Sequence, residues 1–378
     1  MTHKSFEYGR LLEDLEEGAT YEHPWDVTLD GGAVALFQGS FLDATPVFAS
    51  ARYARDLGFR DRPLSPLLLL NLGLGFSMHD VAEQALEGMA YVDVKFPEAA
   101  YTGDTVTAAT TVLGKKPGPD GGRGAVHLRT LVRNQSEQVV CSFDRKALVR
   151  AGGPLARRPP SPYDIAMATS GAPSRRSIPP PTNLPPELRE YLRLPKRRAG
   201  FAGFARDFAP GTILAHGIGR TVSEAEHMQL GFVTRSSHPR HYDAVHCKAP
   251  GATLGGARIV NEGLVFAWVA SLASRDTCGN VVWELGYDNG AHPCAVVAGD
   301  TLFAASKVLA KEPHDAQSSH VTFRLVGTKN VPPRLLLDAG RAEDLFTAEL
   351  GKQDAARKVK EKVFEIDRTV LMLNQPHV

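Results

Sequence analysis

Two kinds of apolar patterning alternate along this chain of 378 residues. The first is apolar on nearly every side. Ser65 to Val81, S-P-L-L-L-L-N-L-G-L-G-F-S-M-H-D-V, and Val260 to Leu272, V-N-E-G-L-V-F-A-W-V-A-S-L, read as helices wrapped on several faces by other structure. The second is an alternation rich in β-branched residues. From Met89 four such segments follow one another: A-Y-V-D-V-K-F-P, T-G-D-T-V-T-A-A-T-T-V-L-G-K-K, A-V-H-L-R-T-L-V-R-N-Q and Q-V-V-C-S-F-D-R-K-A-L-V-R. Gly, Pro, Asp and Asn turns separate them, which predicts an antiparallel sheet. A sheet curled around one long buried helix hides both apolar faces at once, so this order predicts an α+β fold. Ahead of the central helix, residues 9 to 22 predict a helical turn and an entry strand, residues 30 to 37 a helical segment, and A-R-Y-A-R-D-L-G-F a short helix closed by Gly58.

The pattern then repeats. An offset of 193 residues places Thr28 on Thr221, Asp43 on Ser236, Pro46 on Pro239 and Phe48 on His241. Further on, an offset of 196 places Tyr91 on Tyr287, Pro97 on Pro293 and Gly103 on Gly299, so that T-G-D-T-V-T-A-A-T-T-V-L meets A-G-D-T-L-F-A-A-S-K-V-L. One supersecondary unit repeated at long period predicts two like domains packed as a fused pseudo-dimer. The expected division is a first domain over residues 1–150, a linker over 151–205, a second domain over 206–330, and a helix-and-strand extension over 331–378 that caps or extends one sheet. Residues 151–200 hold 11 of the 26 prolines together with Arg157, Arg158, Arg175, Arg176, Lys196, Arg197 and Arg198, a composition suited to an extended linker.

Composition narrows the function classes. With 43 basic and 42 acidic side chains the net charge is +1, so no global field attracts nucleic acid. Cys141, Cys247, Cys278 and Cys294 stand far apart without a C-x-x-C pair, which supports neither a zinc site nor a disulfide framework and suggests reduced, cytoplasmic thiols. The densest apolar run, Leu67 to Phe76, is about half the length a bilayer demands. Membrane and metal partners are therefore not expected.

Candidate chemistry concentrates in Thr234 to Asp243, T-R-S-S-H-P-R-H-Y-D. A Pro between two His residues stiffens a polar loop, and His titrates near neutral pH, so the loop suits proton transfer. Its counterpart in the first half is Gly39 to Ser50, again fixed by a Pro.

The helical lead-in, the polar Pro loop, the V-x-x-G turn at Val260 to Gly263, the G-D-T strand entry at Gly299 to Thr301 and the R-N-Q turn at Arg133 to Gln135 together resemble the MaoC-like hydratases and dehydratases. The resemblance covers residues 9 to about 330, apart from the linker, and implies a double hot dog fold. Within that family Y-A-R-D-L-G-F, P-L-S-P-L-L-L-L and T-V-S-E-A-E-H look most like the mesaconyl-CoA hydratases, also called β-methylmalyl-CoA dehydratases. The implied reaction is reversible hydration of a short branched or dicarboxylic enoyl-CoA, with the CoA thioester as substrate and no further cofactor. A thioesterase, or an acyl-CoA-binding protein whose catalytic pair has decayed, is the alternative. The implied assembly is a possible homodimer of the fused pseudo-dimer.

The family's catalytic pattern, D-x-N-P-x-H, is present only in fragments. The second half keeps Pro239 and His241 but has Ser236 and His238 in the Asp and Asn slots; the first keeps Asp43 and Pro46 but has Thr45 and Phe48 in the Asn and His slots. His241 is the expected proton carrier. Ser236, Glu262 and Asp43 are open candidates for its partner. Asn261 and Gly263, at the start of the second apolar helix, are expected to bring backbone N–H groups to the thioester oxygen, with Gly263 allowing close approach. For a distal carboxylate, Arg235, Arg240 and Arg258 compete.

Overall fold

The computed structural model describes residues 9–119, 121–152, 203–249 and 256–375, and the expected linker lies almost wholly outside them. Short strands β1 (Thr20–Glu22) and β2 (Val27–Thr28) precede the long strands β3 (Ala85–Lys95), β4 (Thr105–Pro117), β5 (Arg123–Asn134) and β6 (Val139–Arg150). The second half repeats the order with β7 (Ile213–Ala215), β8 (Arg220–Thr221), β9 (Val281–Ala291), β10 (Thr301–Pro313), β11 (Ser318–Lys329) and β12 (Lys362–Leu373). Hydrogen bonding joins them in the order β1-β4-β5-β6-β3-β9-β12-β11-β10-β7, with β2 on β4 and β8 on β10.

One expected boundary is corrected here. β12 lies between β9 and β11, as β6 lies between β3 and β5, so the second domain does not close at residue 330. Helical segments Pro333–Asp338 and Ala342–Phe346 fill the gap between β11 and β12. They separate the fourth long strand from the other three in sequence without removing it from the sheet.

The halves join edge to edge through β3 and β9. Val94 pairs with Tyr287 and Tyr91 with Gly290. Applying the offset of 196 turns the first pair into the second, the signature of an isologous contact. Each half wraps a central helix: Pro66–Ser77, every residue of it buried, and Glu262–Thr277, buried over most of its length. Each Leu of the first helix contributes roughly 2 kcal/mol by leaving water.

The two helices cross where Asn71 Nδ2 donates to the carbonyls of Leu67 (2.8 Å) and Gly263 (3.1 Å). A Cβ on Gly263 would stand 2.3 Å from Asn71 Oδ1, so the missing side chain serves the crossing and the space beside it is already filled. The close approach expected at Gly263 is here made by Asn71 of the other central helix. At Gly75 a Cβ would stand 1.8 Å from the Thr234 carbonyl oxygen. The polar loop of the second half therefore rests on the central helix of the first.

Candidate active site

The loop is aimed by the helix before it. Glu224–Val233 is capped by Ser223, whose Oγ accepts from the Glu226 amide, and the chain leaves the helix through Arg235 at φ +60°. That left-handed residue lets the Ser236 amide return to the Gly231 carbonyl at 2.9 Å. His238 then caps a single turn, Pro239–His241: its Nδ1 accepts the Arg240 amide at 3.2 Å and its Nε2–H donates to the Ala85 carbonyl at 3.2 Å. Burial, with Arg240 and His241 beside it, pushes its pKa well down, and this neutral ring holds the turn.

His241 is buried and its tautomer is set by its neighbour. Nδ1 lies 2.8 Å from the Ile259 carbonyl, which can only accept, so Nδ1 carries the proton and Nε2 carries a lone pair. Nε2 faces Glu262 Oε2 at 3.8 Å. Burial pushes the His241 pKa down; Glu262 opposes this, Arg240 adds to it, and the net shift is downward. Burial would raise the Glu262 carboxyl, but His241, Arg240 and His292 outweigh it and hold it below the usual range. At neutral pH the pair is thus a neutral imidazole and a carboxylate. Both are acceptors, and their separation exceeds a direct hydrogen bond but suits the two hydrogens of one water. The Glu262 side chain retains 21 % exposure against 6 % for His241, so solvent reaches the carboxylate side.

The other expected residues divide. Ser236 Oγ accepts from Asn261 Nδ2 at 2.9 Å, and Asn261 Oδ1 accepts the Gly263 amide at 2.9 Å, which places both beside the pair as a helix cap. Asp43 is elsewhere. Its Oδ1 accepts the Thr45 amide and hydroxyl in a local turn, and the Ala44 amide donates to Ser274 Oγ near the far end of the second central helix. The twelve residue steps from Glu262 to Ser274 span about 18 Å, so Asp43 cannot share a proton with His241.

Two of the three expected arginines are engaged by protein acceptors, and the third is exposed. Arg240 donates to the carbonyls of Ala85 and Leu86, Arg258 pairs with Glu224, and Arg235 lies over the Trp25 ring at 5.5 Å. The groups that sequence reasoning missed are Tyr91, Arg145 and His292. The Tyr91 hydroxyl lies within electrostatic reach of both Glu262 and Arg145, and its ring packs against His292 at 5.6 Å. Among the described residues no group of three or more His, Cys, Asp or Glu side chains could hold a metal ion, and no helix is long and apolar enough to cross a membrane.

The loop of the first half, with β9 and β12 of the second, borders a counterpart of this site. Asp43, Thr45, Phe48, Ser65, Pro66, Glu284, Tyr287 and Arg368 line a cavity of ≈ 10 Å³, room for about one water. Arg368 grips Glu284 there with two nitrogens, at 2.5 Å and 2.9 Å.

Two fused hot dog units, each wrapped on its own helix, with a His loop retained in one of them, define a double hot dog hydratase of the MaoC-like class. A MaoC-domain protein from Chloroflexus aurantiacus superposes with a TM-score of 0.77 at 25 % identity, over 97 % of this chain and 98 % of that one. A Mycobacterium tuberculosis protein with a double hotdog fold superposes at 0.68 with 19 % identity, over 96 % and 98 %. The model of the mesaconyl-CoA hydratase family matches residues 2–331, and the chain belongs to that family of hydro-lyases. It is 28 % identical to the β-methylmalyl-CoA dehydratase of Chloroflexus aurantiacus, over 86 % of this chain and 89 % of that one, and 29 % identical to the mesaconyl-CoA hydratase of Cereibacter sphaeroides, over 85 % and 90 %.

Proposed function

We propose that this chain catalyses the reversible addition of water across the double bond of a short-chain enoyl-CoA of the mesaconyl-CoA kind, with His241 and Glu262 as the acid/base pair. The carrying observation is the facing of His241 Nε2 and Glu262 Oε2 at 3.8 Å, with Nδ1 committed to Ile259. One water donates to both acceptors. Its oxygen bonds to Cβ while one of its protons passes to the base, and the charge displaced from the double bond gathers on the thioester oxygen as an enolate. The positive end of the helix that Glu262 begins faces this charge. The base then returns the same proton to Cα, so that H and OH are both added and the pair ends as it began. Dehydration is the reverse. The substrates named for the two curated relatives support the acyl class.

The test is loss of the enoyl thioester absorbance with mesaconyl-CoA and crotonyl-CoA. The wild type is expected to hydrate mesaconyl-CoA, and His241→Ala to lose on the order of 10³-fold in kcat. Activity that survived this substitution contradicts the mechanism. A protein that binds CoA thioesters yet hydrates none of them is an acyl-CoA-binding protein instead.

A further inference from the structure

Arg145 is fully buried, yet among the described residues none of its three guanidinium nitrogens has a hydrogen-bond partner. A guanidinium carries five N–H donors and stays charged at any physiological pH, so leaving all of them dry is among the costliest arrangements a core can contain. The neighbouring Tyr91 hydroxyl is buried and unpartnered as well. Tyr91 and Arg145 are directly paired across β3 and β6, and paired residues project from one face of a sheet. The unused donors of both therefore lie on one face of the sheet within electrostatic reach of each other, and Tyr91 is also within reach of Glu262.

The pocket beside the first half's loop shows what belongs there. Tyr287 and Arg368 are paired across β9 and β12 in the same way, and both line the small cavity beside Asp43 and Phe48. In that pocket Arg368 is satisfied by the carboxylate of Glu284. The offset of 196 that carries Tyr287 onto Tyr91 carries Glu284 onto Gly88, which brings no carboxylate. The pocket beside Asp43 supplies its own anion, and among the described residues the pocket beside Tyr91 has the receptor without one.

Resting on the hydratase reading above, we propose that Arg145, assisted by the Tyr91 hydroxyl, is the receptor for a carboxylate at the far end of the acyl chain, and that it selects dicarboxylic over monocarboxylic enoyl-CoA substrates. Bound substrate completes the pair that Glu284 and Arg368 make internally. Two charge-assisted hydrogen bonds form in a dry site, where loss of either partner is costly. Arg145 touches the part of the substrate that does not react, so its effect lies in selection and positioning.

Two measurements on wild type and Arg145→Met test this. The first is calorimetric binding of two saturated thioesters that cannot be turned over, methylsuccinyl-CoA and 2-methylbutyryl-CoA. The wild type is expected to prefer the dicarboxylic thioester by on the order of 100-fold, and the variant to lose that preference. The second is hydration of mesaconyl-CoA against tiglyl-CoA, with the same loss of preference expected in kcat/KM. The melting temperature separates this role from a structural one, because replacing an unpaired buried charge with an apolar side chain raises it, whereas removing a structural residue lowers it. A wild type that hydrates mesaconyl-CoA but binds both saturated thioesters equally overturns the carboxylate receptor and leaves the hydratase reading standing. A wild type that prefers methylsuccinyl-CoA through Arg145 but hydrates neither enoyl thioester supports the receptor and overturns the hydratase reading. Should Arg145→Met fail to fold, Tyr91→Phe carries the binding test, with a smaller loss of preference expected and an unchanged preference counting against the proposal.

Discussion

The loops of the two halves each border a pocket of the same plan, completed by strands of the other half, and the two pockets are furnished in opposite ways. In the second half His241, Glu262 and Asn261 stand where the first has Phe48, Pro66 and Ser65. One pocket keeps a lone pair facing a carboxylate across a gap fit for water. The other buries an aromatic ring against Trp283 at 5.7 Å and closes over an internal ion pair. The shared sheet and crossed helices show that the fold tolerates either content. On the mechanism proposed here, the chemistry depends on a few side chains at the start of one helix and in one loop.

The largest contrast is catalytic. His241→Phe installs the first half's residue in the second and is expected to lower kcat on mesaconyl-CoA by on the order of 10³-fold, whereas Asp43→Asn should leave it within about twofold. A large loss in Asp43→Asn would show that the first pocket takes part. Next comes the buried pair. Glu284→Ala leaves Arg368 as unpaired as Arg145 and should cost about 3–5 kcal/mol in denaturant unfolding. A near-neutral result would mean that a lone guanidinium is cheap in this core, and would weaken the contrast drawn for Arg145. Smaller again is Gly75→Ala, where the new carbon meets the Thr234 carbonyl oxygen. Overpacking of this kind costs about 2 kcal/mol and shifts the catalytic loop, whereas Ser271→Ala, at the equivalent place in the other helix, should change little.

The smallest effect is a titration. Burial holds the His241 pKa below its ordinary value while the Glu262 carboxylate pulls it back up. A histidine depressed in this way is neutral from its unfolded pKa upward, so it favours the folded state there and loses that contribution as pH falls through the lower folded value. The kcat/KM profile should accordingly stay flat from neutral pH down past about 6.5 and fall only below it. Replacing Glu262 with Gln removes the opposing charge, so the His241 ring resonances should titrate at still lower pH. A midpoint that moves upward would place the carboxylate away from the ring.

Much of this architecture is legible from the residues. Alternation located β3 to β6, and the repeated G-D-T-containing segment located β10 opposite β4. Two things were hidden. Asp43 shares the loop's position in sequence, but only the crossing of the helices shows that it faces the other pocket. Arg145 reads as one more charge in an alternating strand, because burial without a partner leaves no mark on periodicity. Its signal lay in the tail: E-I-D-R-T-V-L-M against S-F-D-R-K-A-L-V sets Asp367 on Asp144 and Arg368 on Arg145, at an offset of 223. The helices inserted before β12 broke the offset of 196 and concealed that match. The expected arginines drew attention because they were near in sequence, yet backbone carbonyls already engage Arg240 and Glu224 engages Arg258.

The central claim is that one water held between His241 and Glu262 is the reactant. Steady-state hydration of mesaconyl-CoA by Glu262→Gln tests it most directly, since the amide keeps the size of the carboxylate but cannot hold its charge or take its proton. A fall in kcat on the order of 10³-fold, with the binding of methylsuccinyl-CoA little changed, is the result this account predicts. Turnover within tenfold of wild type would contradict it.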